Sequence, residues 1–168
     1  VRTIGGGKVL NPVPQKHKLF QEDVIAGLKG LIDSPSEEVV SFHVQDADVS
    51  GVTFSNLIIM THLPEKMLAS ITQQLSSTRD IIQIDKDTRL FVHKNVFEAL
   101  QEKTASSLEK YHKKNPLKAG MSKEELKSKF PLQAADKLFG AVMNQMLKAH
   151  TIVQEGEIVK LAEHKVSL

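Results

Sequence analysis

The amino-acid sequence predicts a mainly α-helical chain with small β-hairpins (α+β), arranged as two small tandem units. Three observations carry this. Residues 53–92 read as short helix, proline, longer helix and hairpin, and residues 122–161 read the same way, with Pro64 and Pro131 marking one joint about 67 residues apart. The 168 residues are 40% hydrophobic, 25% charged and only 5% aromatic, without Trp and with Tyr111 as the one Tyr, which suits small helix-rich cores better than an all-β sandwich. Cys is absent, which excludes a disulfide scaffold, a Cys-ligated zinc and thiol chemistry, and fits a reducing compartment.

In order along the chain, residues 1–15 hold two short apolar pieces around Gly5-Gly6-Gly7 and end in two prolines. They read as a strand, a glycine break, a second strand and an exit linker, belonging to a sheet expected to lie mostly outside this chain. Phe20, Val24, Leu28 and Leu31 recur at helical spacing and predict a helix over 17–33. Gly27 and Gly30 weaken it by about 1 kcal/mol each relative to Ala. Ser34-Pro35-Ser36-Glu37 predicts the next helix start, with Ser34 as cap, Pro35 in the first helical position and Glu37 completing a capping box. Val39, Val40 and Val44 would form its inner face. A short helix from Thr53 to His62 turns Phe54, Leu57 and Ile58 inward. Pro64-Glu65 opens a helix over 64–80, with Met67 or Leu68, Ile71 and Leu75 as the buried stripe. Ile82/Ile84 and Leu90/Val92 alternate with polar neighbours on either side of Asp85-Lys86-Asp87, predicting strands at 81–84 and 88–92.

The second unit is expected to open at Asn95, with Glu98 three residues on. Its long helix reaches about Lys114, carries Phe97, Leu100, Thr104, Leu108 and Tyr111 on one face, and serves as a semi-rigid shared linker. Asn115-Pro116 ends it, because a residue before proline avoids the helical region. Ser122-Lys123-Glu124-Glu125 is a second capping box, starting a short helix with Leu126 and Phe130 that Pro131 breaks. A helix over 133–149 follows, with Ala135, Leu138, Phe139, Val142 and Met146 inward. Thr151–Gln154 and Glu157–Leu161 then form a hairpin across Glu155-Gly156. Three helices closed by a hairpin is the winged-helix plan, a helix-turn-helix with a wing. Two such tandem winged-helix domains are predicted, at 16–93 and 94–168.

Few residues point to catalysis. Gly5-Gly6-Gly7-Lys8 lacks the glycine spacing, the Ser/Thr and the following helix of a phosphate loop. None of the seven histidines (17, 43, 62, 93, 112, 150, 164) pairs at i, i+4, and no Gly-x-Ser-x-Gly elbow occurs. No catalytic, cofactor or metal site is therefore expected. Apolar runs such as Leu57–Met60 are too short to span a membrane, and the absence of a heptad seam predicts a monomer. Charge is more informative. Residues 1–92 carry nine Lys/Arg against eleven Asp/Glu, and residues 93–168 carry thirteen against nine. The excess lies in 103–129, where eight Lys face three Glu. A basic stripe is the expected footprint of a polyanion. In a helix-turn-helix the second helix enters a groove, which points to Lys137. Lys113, Lys114, Lys118, Lys123, Lys127 and Lys129 complete the candidate nucleic-acid contacts. Only Lys137 and Lys148 are basic on the groove-type helix, which is poor for reading duplex DNA.

The run Arg2-Thr3-Ile4-Gly5-Gly6-Gly7-Lys8-Val9-Leu10-Asn11-Pro12 resembles the end of the third β-barrel domain of bacterial selenocysteine-specific elongation factors. Leu57, Thr61-His62-Leu63-Pro64-Glu65 and Leu68 resemble that family's first winged helix. Tyr111-His112 with Asn115-Pro116-Leu117-Lys118-Ala119-Gly120-Met121-Ser122-Lys123-Glu124-Glu125-Leu126-Lys127 resembles the start of its second. The resemblance implies that 1–15 closes a barrel domain and that two of four winged helices follow. It also implies a cytoplasmic factor that binds GTP and Mg in a preceding part, carries selenocysteyl-tRNA to the ribosome, and reads an mRNA selenocysteine-insertion hairpin through later modules at UGA codons. The present segment would be the arm between those ends, with RNA backbone contacts at most. Two alternatives stand beside it, a tandem winged-helix protein–protein adaptor and an independent nucleic-acid-binding module. The glycine-rich opening favours the elongation factor, since an adaptor has no reason to begin with a barrel strand.

Overall fold

The computed structural model describes residues 5–7, 9, 16, 18, 19, 21–30, 34–132, 134 and 136–164. Most of the expected strand-and-linker segment 1–15 lies outside these residues, and Gly5–Gly7 and Val9 carry no regular structure. The first helix, α1, runs Glu22–Gly30 within the 17–33 expected, with 18, 19 and 21 non-helical; positions 17, 20 and 31–33 lie outside the described residues.

Three helices and a small antiparallel sheet then form the first unit: α2 (Ser36–Asp46), β1 (Val52–Thr53), α3 (Phe54–Thr61), α4 (Glu65–Ser77), β2 (Ile81–Asp85) and β3 (Leu90–His93). The sheet order is β1-β3-β2. Val40, Val44, Phe54, Leu57, Leu68, Ile71, Ile81 and Phe91 are buried in one core. Of the alternatives Met67 and Leu68, Leu68 is the buried one, and Met67 is 45% exposed. The second unit repeats the plan with α5 (Lys94–Lys114), β4 (Met121–Ser122), α6 (Lys123–Ser128), α7 (Asp136–Lys148), β5 (Ile152–Glu155) and β6 (Ile158–Leu161), in sheet order β4-β6-β5. Leu108, Met121, Leu126, Leu138, Val142, Ile152 and Val159 fill its core.

Each sheet has three strands, where the hairpin pattern predicts two. The third strand is only two residues long, too short to leave an alternating pattern. A glycine makes it possible in each case. A Cβ on Gly120 would stand 2.5 Å from the Val159 carbonyl oxygen, and one on Gly51 would stand 2.9 Å from that of Phe91. The strand after each glycine can therefore lie close against the last strand of its sheet. Thr53 and Ser122, the second residues of β1 and β4, then cap the next helix, accepting hydrogen bonds from the Asn56 and Glu125 amides. Gly51-Val52-Thr53 and Gly120-Met121-Ser122 thus do the same work in both units. The ends of α4 and α7 also match. Arg79 and His150 take left-handed backbone, and the following amides, of Asp80 and Thr151, return to the carbonyls of Leu75 and Met146.

Ser122 caps its helix as the sequence predicts, its hydroxyl accepting from the Glu125 amide, while the Glu125 carboxylate faces Lys129 instead of closing the box. Two other starts differ. α2 begins after Pro35, and the Ser34 hydroxyl hydrogen-bonds Gly30 and Glu38 instead of capping through Glu37. α5 begins directly after β3, with His93 as its cap: Nδ1 of His93 accepts from the Asn95 amide at 3.2 Å. A neutral imidazole nitrogen accepts a hydrogen bond as an Asn oxygen does, a possibility the cap preferences do not signal. The joints around the prolines also differ. α4 starts one residue after Pro64, whereas α7 starts at Asp136, five residues after Pro131.

The two units are packed through the first hairpin. Ile81 and Phe91 turn into the first core, whereas Val92 belongs to the second core, with Ile82 and Ile84 packed against it. A β-strand places alternate side chains on opposite faces, so one hairpin serves two cores. The apolar residues Ile82 and Ile84 do face a core, but it is that of the other unit.

Candidate nucleic-acid interface

The seven candidate lysines do not form one surface. Lys137 stands near the start of α7, the helix that enters a groove in helix-turn-helix proteins. There it is bound to the first unit: its Nζ is 2.6 Å from Asp85 Oδ1 and 3.7 Å from Asp87 Oδ2. Asp85 is 8% exposed and also accepts hydrogen bonds from the Thr88 hydroxyl and the Asp87 and Thr88 amides. The Lys137 ammonium first, and the Thr88 hydroxyl next, hold the Asp85 carboxyl well below the usual carboxylate range; the same pair raises Lys137. Near the other end of α7, Gln145 lines a cleft of about 360 Å³ together with Ser76, Arg79, Ile82 and Lys94. The helix therefore meets the first unit near both of its ends. Lys137 is thus an inter-unit contact whose side chain stays 56% exposed.

On α6, Lys123 and Lys127 share a face, and Lys129 lies 3.9 Å from Glu125. Lys127 borders a small pocket lined by Phe130, Pro131 and Phe139. On α5, Lys113 pairs with Glu109 at 2.7 Å, while Lys114 is exposed. Lys118 follows in the loop, its Nζ 5.8 Å from the Tyr111 ring centre. Lys103 and Lys110, outside the predicted set, lie on α5 at i, i+7 and are exposed; their spacing with Lys114 was the signal that could have found them.

His112, predicted only as part of a helix, is buried where α5 meets β6. Its Nε2 accepts from the Leu161 amide at 3.3 Å, and its ring stacks on His164 at 3.7 Å. Burial first, and the His164 ring next, push its pKa down. His164 Nε2 donates to the Lys118 carbonyl at 3.1 Å. Among the described residues, no group of three His, Cys, Asp or Glu is placed to hold a metal ion, and no helix is long and apolar enough to cross a membrane.

Two helix-turn-helix units, each closed by a three-stranded sheet with a hairpin wing, define a tandem winged-helix protein. Comparison with known proteins carries this further: residues 105–161 match the family model described as "Elongation factor SelB, winged helix". The whole chain is similar to the selenocysteine-specific elongation factor of Desulfomicrobium baculatum, with 29% identity over 168 residues. All of this chain is covered, and it spans 26% of that relative's length.

Proposed function

We propose that this chain is the orienting arm of a translation elongation factor that delivers selenocysteyl-tRNA to UGA codons. The observation that carries the reading is the use of the first wing as an inter-unit wedge. A wing free to touch nucleic acid has no need of apolar residues on its outer face; here Ile82, Ile84 and Val92 pack with the second core, and Asp85 holds Lys137. The result is a semi-rigid pair, suited to fixing the distance and angle between whatever it joins. The similarity to a selenocysteine-specific elongation factor supplies the context. In such a factor, GTP and its magnesium are held outside this segment, whose Gly5-Gly6-Gly7-Lys8 lacks the features of a phosphate loop. The segment itself performs no catalysis. The mRNA hairpin is read elsewhere in the factor, the ribosome and charged tRNA are its other partners, and it works as a monomer in the cytoplasm.

The test loosens the wedge inside the intact factor. Ile84→Asp with Asp85→Ala should leave hairpin affinity unchanged while UGA readthrough falls severalfold. Readthrough equal to wild type, with the two units shown by small-angle scattering to have come apart, would sink the arm reading.

A further inference from the structure

Lys137 on α7 is engaged by Asp85 and Asp87, and a separate row of positive charge stands on α5. Lys103, Lys110 and Lys114 lie on α5 at i, i+7 and i+11. At 3.6 residues per turn these positions fall within an arc of about 40°. All three are exposed, and none closes an ion pair with a described residue. The helix acids Glu98, Glu102 and Glu109 sit roughly 120° away around the axis, and Glu109 is taken by Lys113. Ala99, Ser106 and Ser107, the small residues flanking this row, leave the lysines standing clear, and the Ser107 hydroxyl is turned onto the Lys103 carbonyl. Past the helix end, Lys118 continues the positive edge beside the Tyr111 ring.

We infer that the outer face of α5, through Lys103, Lys110 and Lys114, is a contact surface for the phosphodiester backbone of RNA. The three ammonium groups are spaced about 10 Å and about 6 Å along the axis at ~1.5 Å per residue. Along a duplex axis each strand presents a charge about every 3.4 Å, so the row spans the axial rise of about five nucleotides. A row of point charges on a straight helix tracks backbone and does not read bases, because Lys lacks a planar fork and the row carries no amide side chain. This agrees with an arm that is guided along RNA while sequence is read elsewhere. RNA, rather than DNA, follows from the translational role proposed above, on which this inference rests.

The experiment is fluorescence anisotropy of the 168-residue chain with a labelled RNA hairpin, and with a DNA duplex of the same sequence, across a salt series. Lys103→Glu/Lys110→Glu/Lys114→Glu is compared with Lys123→Glu/Lys127→Glu/Lys129→Glu, both checked for folding by circular dichroism. The α5 triple is expected to weaken RNA binding by about tenfold or more and to flatten the salt slope by about two to three units, as lost phosphate contacts should. The α6 triple should change affinity less than about threefold. As a readout free of substitutions, RNA should protect Lys103, Lys110 and Lys114 from chemical acetylation more than Lys127 and Lys129. A larger loss in the α6 triple, an unaffected α5 triple, tighter binding to DNA than to RNA, or no RNA binding by the unaltered chain at low salt would each overturn the inference. The arm reading fails on readthrough and shape instead, so the two failures are distinguishable.

Discussion

His43 shows how one residue sets the acid limit of the first unit. It is fully buried on α2 beside Val40 and Val44, and neither ring nitrogen has a hydrogen-bond partner among the described residues. Burial lowers its pKa, against a smaller opposing pull from Asp46. The unfolded chain, with an ordinary His near pH ~6.5, therefore takes up protons that the folded chain refuses. Stability is complete above that pH and declines as pH falls below it. His93 and His112 are lowered by burial too, so they share the slope. The melting temperature should drop between about pH 7 and pH 5, and His43→Leu, close in volume and free of buried polar atoms, should make the drop shallower. A variant that loses as much as wild type over that range would show that His43 is not a source of the slope. The sequence placed His43 as a partly buried helix residue beside the apolar face of α2; its full burial depends on what closes over it.

Among the elements, the short strands β1 and β4 depended most on tertiary packing. Both hairpins and the Ser122 cap are legible in the sequence, since these rest on alternation and on residues three apart. The two-residue strands were missed, although Gly51-Val52-Thr53 and Gly120-Met121-Ser122 repeat the same chemistry. Gly120→Ala should test their importance. Its Cβ would meet the Val159 carbonyl at 2.5 Å, so β4 must move off β6, and urea denaturation should show a loss of about 1–3 kcal/mol, the usual cost of overpacking. Gly140→Ala serves as control: it is helical with open space around it, and should be neutral or stabilising by up to about 1 kcal/mol. Equal effects of the two changes would remove the glycine from the explanation. α5 was legible as a long amphipathic helix, down to Phe97, Leu100, Thr104 and Leu108, all buried. It was also legible as the shared helix that opens the second unit. No residue intervenes between β3 and α5, and α5 is the first helix of the second unit, tied back by the Lys94–Asp80 ion pair at 2.7 Å.

For the molecule as a whole, the consequence of the shared hairpin is cooperativity between units. Each core is small, and Ile82, Ile84 and Val92 of the first unit's hairpin pack in the second core. Asp85→Ala leaves Lys137 facing Asp87 alone and should separate calorimetric unfolding into two resolved transitions, where the unaltered chain shows one. One undivided transition in the variant would mean that the apolar contacts alone couple the units. The pH range of this pair differs from that of the histidines. The Asp85 carboxyl is depressed, so its contribution is complete above the ordinary carboxylate pKa near ~3.9 and is lost as pH falls below it; Lys137 is raised, so its share fades only at pH values above ~10. Between these limits the ion pair is constant, and a fall in stability between about pH 7 and pH 5 belongs to the buried histidines.

The sequence by itself determined the helices, the hairpins, the doubled order of elements and the resemblance to selenocysteine-specific elongation factors, because these depend on periodicity, caps, prolines and local motifs that lie within a few residues of each other. It also determined that positive charge gathers in 103–129. Only the tertiary structure decided which lysines are free. Lys137 and Asp85 are 52 positions apart and form an ion pair because the outer face of the first hairpin needs an apolar partner, which the second core supplies. That packing engages Lys137 at the start of α7 with Asp85, while the outer row of α5 stays exposed. A sequence pattern records that a strand has two apolar faces, but the identity of what covers the second face is a long-range fact, fixed by how the two cores fit together.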